Sequence, residues 1–243
     1  MVFGLFSKER SLQKTIEKAT NKLAQQPDRW GALEKLREDS SEEALYGLCK
    51  RFGVTSMKGV EDEQEKHWVV DVLVEKGGAS LAPVTRYMKN ADQLSFPLRV
   101  LERIADHDKI LKIIDDVLAS EPPGYARFPD RRIDVIKWFC EWNGATEEEV
   151  LSRVTPYVTD FDENVRFIAI DGLSSRDPKK IVAPLVDALV RPEEESGRIR
   201  RTIIEVLHRT KAPLGARAKE VATMLSGPLG DDYKIDGEIV KKR

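Results

Sequence analysis

The residues with reactive chemistry to offer are few and scattered. Three histidines (His67, His107, His208) and two cysteines (Cys49, Cys140) are the only imidazoles and thiols in 243 residues. A protein metal site draws several such ligands together at short spacing, as in Cys-x-x-Cys or His-Glu-x-x-His. Neither pattern occurs, nor does a phosphate loop or a dinucleotide glycine fingerprint. Ser11-x-x-Lys14 has the spacing of a serine–lysine nucleophile pair, but Ser11 stands where a helix is expected to open, and there a serine caps. Cys140 lies beside Phe139 and Trp142 and reads as core. The expectation is no catalytic residue, no metal and no cofactor, with the histidines as surface or interhelix polar groups.

What recurs is a different chemistry, that of recognition. Asp162-Glu163-Asn164-Val165-Arg166-Phe167-Ile168-Ala169-Ile170-Asp171-Gly172-Leu173 carries the pattern Arg-x-x-small-x-acid-x-apolar. Arg200 is followed in the same way by Ile203, Glu205 and Leu207, Arg29 by Ala32, Glu34 and Leu36, and Lys66 by Val69, Asp71 and Leu73. Arg132 keeps Val135, Lys137 and Phe139, and a degenerate copy at Pro97 keeps Val100, Glu102 and Ile104. Successive copies are 37, 31, 35, 34 and 34 residues apart, which is a repeat period. One position after each basic residue come Trp30, His67, Leu98, Ile133, Phe167 and Arg201. Four further on come Glu34, Asp71, Glu102, Lys137, Asp171 and Glu205. Residues four apart share a helix face, so these form a double row, partly apolar and mostly acidic. It is either a binding surface or a set of acids paired with bases on the adjacent repeat.

The elements that position this row are helices. Leu12, Ile16, Ala19 and Leu23 fall at helical spacing, and the alternation continues through a stripe of Trp68, Val69, Val72 and Leu73 to Val221, Ala222 and Leu225. Seven helices of one kind (A) alternate with six of another (B). Ser40-x-x-Glu43 and Thr146-x-x-Glu149 read as capping boxes. A helical hairpin of about 34 residues cannot bury its apolar face alone, so the expected fold is all-α, a right-handed superhelix (solenoid) of about six hairpin repeats. Domain organisation follows: a short arm over 1–10, the array over 11–226, and a tail over 227–243. In the tail, Asp236-Gly237 between two short alternating runs signals a β-hairpin, which either packs on the last helices or frays.

Composition sets the outer bounds. Charged residues make up 34% of the chain, yet the formal net charge is only −2, so the whole carries no nucleic-acid signature. The apolar patch Met1 to Phe6 precedes its charges, the reverse of a secretory signal, and Val2 excludes an N-terminal glycine for myristoylation. No apolar run reaches the length of a membrane span. Two lone thiols suit a reducing compartment, so a cytoplasmic protein is expected.

The B-helix pattern, with Asp162 four residues before Arg166 and Asp62 four before Lys66, resembles the HEAT repeat, of armadillo type, over roughly residues 11–226. That resemblance implies turn aspartates and helix arginines joined in a polar ladder, with Arg166 and Arg200 reaching the preceding repeat. Pro97 replaces a basic residue and Ser196 an aspartate, so those junctions depart from it. Tetratricopeptide repeats share the period, but their tryptophan, Leu-Gly and tyrosine positions are absent. The resemblance further implies a non-enzymatic scaffold or adaptor that binds a basic or mixed-charge protein or peptide on its concave B-helix face. The residues expected to carry binding are Trp30, Glu34, His67, Asp71, Leu98, Glu102, Phe167 and Asp171. A secondary basic patch comprises Arg198, Arg201, Arg209 and Lys211. Between Arg198 and Lys219 seven bases face one acid, Glu205, whereas residues 34–65 hold nine acids and five bases. The alternative is a HEAT-like DNA glycosylase acting on alkylated bases, with Asp134, Trp138 and Trp142 in its cleft; against it stand the acidic first repeats, which repel phosphate. A HEAT-like bilin lyase has no diagnostic residue here.

Overall fold

The computed structural model describes residues 2–243, with side chains from Lys8 onward. Thirteen α-helices lie among these residues. In the first half they are α1 (Val2–Ala19), α2 (Gln26–Asp39), α3 (Glu42–Lys50), α4 (Gly59–Glu75), α5 (Leu81–Met88), α6 (Ser95–Ile104) and α7 (His107–Ser120). In the second they are α8 (Asp130–Glu141), α9 (Glu147–Val154), α10 (Glu163–Leu173), α11 (Pro178–Val190), α12 (Gly197–Arg209) and α13 (Ala218–Met224). Two strands, β1 (Tyr233–Asp236) and β2 (Ile239–Lys242), close the chain. The chain divides into two compact units, one ending at Ser120 and one beginning at Glu121.

Helix ends explain the local corrections. α1 starts at Val2, so the residues assigned to an arm are its first turns; no proline stops a helix there, and Lys8, Glu9 and Arg10 favour one. Ser11 is therefore mid-helix, its carbonyl accepting the Thr15 hydroxyl, and caps nothing. Ser40 ends α2 in the left-handed region at φ 53°, its N–H on the Leu36 carbonyl, and the cap of α3 passes to Ser41, which accepts the Ala44 N–H. The Thr146–Glu149 capping box forms in full. Asp162 and Ser196 cap α10 and α12.

In the first unit α3 packs on α1, α2 and α5, while α4 packs on α2 and α6. The apolar stripes meet in a core that includes Leu33, Leu36, Leu45, Leu48, Val69, Leu73 and Leu101. In the second, α10 packs on α8, α9 and α12, and α11 on α12 and α13, around Val135, Phe139, Ala169, Leu173, Leu185, Leu189 and Leu207. The tail does dock. β1 and β2 pair antiparallel, Asp236 opposite Ile239, and Gly237 supplies the positive φ of 63° that the turn needs. Tyr233 and Val240 are buried, the Leu214 N–H donates to the Glu238 carbonyl at 2.7 Å, and Arg201 pairs with Asp232 at 2.6 Å.

Buried ion pairs join the hairpins within each unit. In the first, Arg29 makes a bidentate contact to Glu65, Nη2 at 2.8 Å from Oε1 and Nε at 3.0 Å from Oε2. Arg51 donates to the same carboxylate at 2.7 Å and to Asp62 at 2.7 Å, and Lys66 lies 2.7 Å from the other Asp62 oxygen. Burial opposes ionisation of Asp62, but hydrogen bonds from Lys66, Arg51 and the Ser56 N–H outweigh it and lower its pKa to about 2. In the second unit Arg132 meets Asp160 at 2.6 Å, and Arg166 meets Glu194 through Nε at 2.8 Å. Asp160 and Glu194 each also accept the N–H two residues on, from Asp162 and Ser196. The ladder thus runs from each arginine to the acid of the following hairpin, not the preceding one. Arg166 in addition donates to the carbonyls of Asp160 and Phe161 at 2.9 Å, in the turn just before α10. The acid sits six residues before the next arginine, and Asp162, four before, is a cap. Twenty-eight residues separate each arginine from its acid in these two rungs; the same step from Arg200 arrives at Pro228, which offers no acid.

Candidate functional site, a tryptophan groove between two helices

The inward turn of Arg29 and Glu65 determines what their neighbours do. One residue along an α-helix is a rotation of about 100°. With Arg29 buried, Trp30 therefore falls at the border of the core on α2. With Glu65, Lys66 and Val69 buried on α4, the opposite face presents Glu63, Gln64, His67 and Asp71, and Trp68 lies at the edge. The two indoles meet across the helices with centroids 5.2 Å apart and planes tilted by 46°. Together with Gly59 and Val60 these residues line an open groove of about 710 Å³. Val60 is 74% exposed at its mouth, and Met57, three residues earlier, is 89% exposed. The floor is apolar and the rim is polar.

The rim carries one sign of charge. α4 holds six acids (Glu61, Asp62, Glu63, Glu65, Asp71, Glu75) against one lysine. Asp62 and Glu65 serve the buried network, Glu75 pairs with Arg37 at 2.8 Å and Glu61 with Lys58 at 2.9 Å. Of the two acids in the groove, Asp71 touches Arg103 at 3.1 Å with both side chains exposed. Glu63 lies 3.7 Å from His67 and, among the described residues, has no lysine or arginine in ion-pair range. His67 also sets its ring edge-on to Phe96, centroids 5.5 Å apart, which joins the groove to the start of α6.

The expected double row divides under this geometry. Trp30, His67 and Asp71 come together in the groove. Glu34 and Glu102 are exposed but do not line it. Leu98 is fully buried, which removes it from any contact surface. In that degenerate copy Pro97 and Leu98 both turn inward and Arg99 takes the exposed position, so the register is one residue out. Phe167 and Asp171 belong to the second unit. Phe167 is covered by the Arg198 guanidinium, 4.3 Å from its centroid. Asp171 lies 3.7 Å from Arg209 and lines a cleft of about 200 Å³ with Lys137, Cys140 and Gly172. Burial pushes the Cys140 thiol up to about 12.

The basic patch is largely neutralised in place. Arg198 reaches Glu163 at 3.3 Å, Arg201 holds Asp232 and Arg209 faces Asp171, while Lys211 is exposed at φ 51°. Trp138 and Trp142 stack on each other, 5.5 Å apart and 15° from parallel, so each indole covers a face of the other. A second exposed aromatic pair, Tyr125 and Phe161, meets edge-to-face at 5.4 Å beside a cleft of about 790 Å³ lined by Arg166, Arg191, Glu163, Glu193 and Glu195. That cleft is of mixed charge, and Arg166 is already committed to the ladder.

Trp68, Val60, Glu63 and Gln64 line the groove although none of them stands in the repeating double row. Trp68 reads as core from sequence because it begins the apolar stripe. The signal that points to it is Glu63, His67 and Asp71 at four-residue intervals, with Trp68 three before Asp71. Among the described residues no three His, Cys, Asp or Glu side chains are grouped to hold a metal ion, and no helix is long and apolar enough to cross a membrane. Comparison with known protein families, with curated proteins and with solved structures finds no match.

Proposed function

We propose that the chain is a non-enzymatic, HEAT-like helical-repeat scaffold that docks a peptide segment of a partner protein on its B helices, anchored in the Trp30–Trp68 groove. The observation that carries this reading is the accessible indole pair beside an exposed valine, held on helices whose other faces are locked by buried ion pairs. Tryptophan supplies large contact area at little conformational cost, and such anchors on a rigid frame dominate binding energy. Repeat spacing near 34 residues, the A–B alternation and the polar ladder support right-handed stacking of the hairpins. The glycosylase reading loses support because Trp142 is buried in the core.

The test is a displayed random-peptide library selected on the full chain. Enriched peptides should bind about thirtyfold more weakly to Trp68→Ala, the loss of a hot-spot anchor. They should also weaken on Val60→Asp, a surface change that leaves folding intact. Peptides indifferent to both substitutions place docking elsewhere, with the Tyr125–Phe161 cleft next in line. No enrichment, together with base release from alkylated duplex DNA, would instead establish the glycosylase reading.

A further inference from the structure

The molecule repeatedly lays its own cations on its aromatic rings. Arg86 sits 3.9 Å from the centroid of Tyr46, Arg198 4.3 Å from Phe167, and Arg99 and Lys66 lie 5.1 and 5.6 Å from Phe96. Arg127 and Arg153 cover Phe128 and Phe139 in the same way. Tryptophan is the best ring for this interaction, since the indole face carries the most negative potential. Yet among the described residues no lysine or arginine lies over Trp30 or Trp68. The best cation acceptors of the first unit stand without a cation, in a groove whose charged lining residues are Glu63 and Asp71.

We infer that the groove receives a cationic side chain of the docked peptide, arginine in preference to lysine, flat against the indole pair with its N–H groups toward Glu63 and Asp71. This rests on the reading of the groove as the docking site and adds what it selects. The chemistry fits in four respects. Apart from His67 the lining brings carboxylates and no lysine or arginine, so the charge an incoming arginine meets there is predominantly acidic. A guanidinium is planar and weakly hydrated, stacks on an aromatic face and still directs its N–H groups at a carboxylate in the ring plane, which an ammonium cannot do as well. Asp71 already accepts a guanidinium from Arg103 through one oxygen at 3.1 Å, and this exposed pair is weak enough to share or exchange. Val60 at the mouth offers apolar surface to the residues beside the arginine.

The indole N–H signals provide a readout with an internal control, because the chain has four tryptophans and two of them, Trp138 and Trp142, lie outside the groove. Three tripeptides serve as probes: acetyl-Leu-Arg-Leu-amide, its lysine analogue, and its citrulline analogue, which keeps the shape of arginine without the charge. Titrated into the full chain at constant ionic strength, the arginine peptide should shift the Trp30 and Trp68 signals and leave the other two in place. The citrulline peptide should bind roughly three- to thirtyfold more weakly, with lysine between them. The exposed double substitution Glu63→Gln with Asp71→Asn should narrow the difference between arginine and citrulline. Equal binding of arginine and citrulline peptides would overturn cation selection while leaving the groove as a docking site. Movement of all four signals together, or of none, would overturn both.

Discussion

At the scale of single residues, what separates an important charge from a decorative one is burial. Arg166 and Glu194 face each other at 2.8 Å with Glu194 fully buried, whereas Arg37 and Glu75 meet at the same distance in solvent. Removing one member of a buried pair leaves an uncompensated charge and costs about 3–5 kcal/mol, while an exposed pair is worth less than about 1 kcal/mol. Arg166→Ala should therefore lower the urea midpoint of unfolding clearly and Arg37→Ala barely; similar effects would mean that the ladder does not hold the hairpins together. Asp62 adds a pH signature. Its folded pKa, about 2, lies below the ordinary aspartate value of about 3.9, so the unfolded chain takes up the proton first as pH falls. Its contribution is complete above about pH 5 and is mostly lost as pH drops to about 2. Stability measured across that window should fall more steeply in the native chain than in Asp62→Asn. The sequence pointed to Arg29, Arg132 and Arg166, because they recur, but not to Arg51, which stands outside the repeat, nor to the acids that answer them. Asp162, four residues before Arg166, is spent on the helix cap, and the partner acids Asp160 and Glu194 each stand six residues before the next arginine.

At the scale of elements, apolar period located every helix, because side chains recurring every 3.6 residues fall on one side of the backbone only when it is helical. All thirteen expected α-helices are present among the described residues. Which residue of a stripe faces out was less legible. Leu98 turned inward and Trp68 reached the surface, since one residue along a helix rotates a side chain by about 100°. Ends were legible where the cap is reciprocal, as at Thr146 and Glu149, and not where two serines compete, as at Ser40 and Ser41. The hairpin was legible from Gly237, but its docking depends on Tyr233 and Val240 finding α12 and α13, which no local pattern encodes. Val240 is fully buried, and truncating a buried aliphatic side chain leaves a cavity. Val240→Ala should cost about 1–3 kcal/mol in chemical denaturation. A cost near zero would mean that the hairpin does not hold the second unit together.

At the scale of the whole molecule, the chain forms two compact units, and each has a core and buried ion pairs of its own. Residues 121–243 expressed alone should accordingly be helical by circular dichroism and unfold cooperatively; a molten fragment would show that this unit's core is not sufficient. The first unit carries the proposed docking groove. Because its rim is acidic, raising salt should slow association with a basic peptide more than it speeds dissociation. The most direct test of peptide docking in the groove is photo-crosslinking from its mouth. A benzophenone amino acid replaces Val60 in the full chain, and in a second preparation replaces Ala82, an exposed residue of α5. Both proteins are irradiated in an extract of the source cell and the adducts are sequenced by mass spectrometry. Docking in the groove predicts adducts at position 60, absent at position 82 and reduced by Trp68→Ala, on peptides that carry an arginine or lysine within a few residues of the crosslink. Equal labelling from both positions, or adducts at 60 that survive Trp68→Ala, would contradict it.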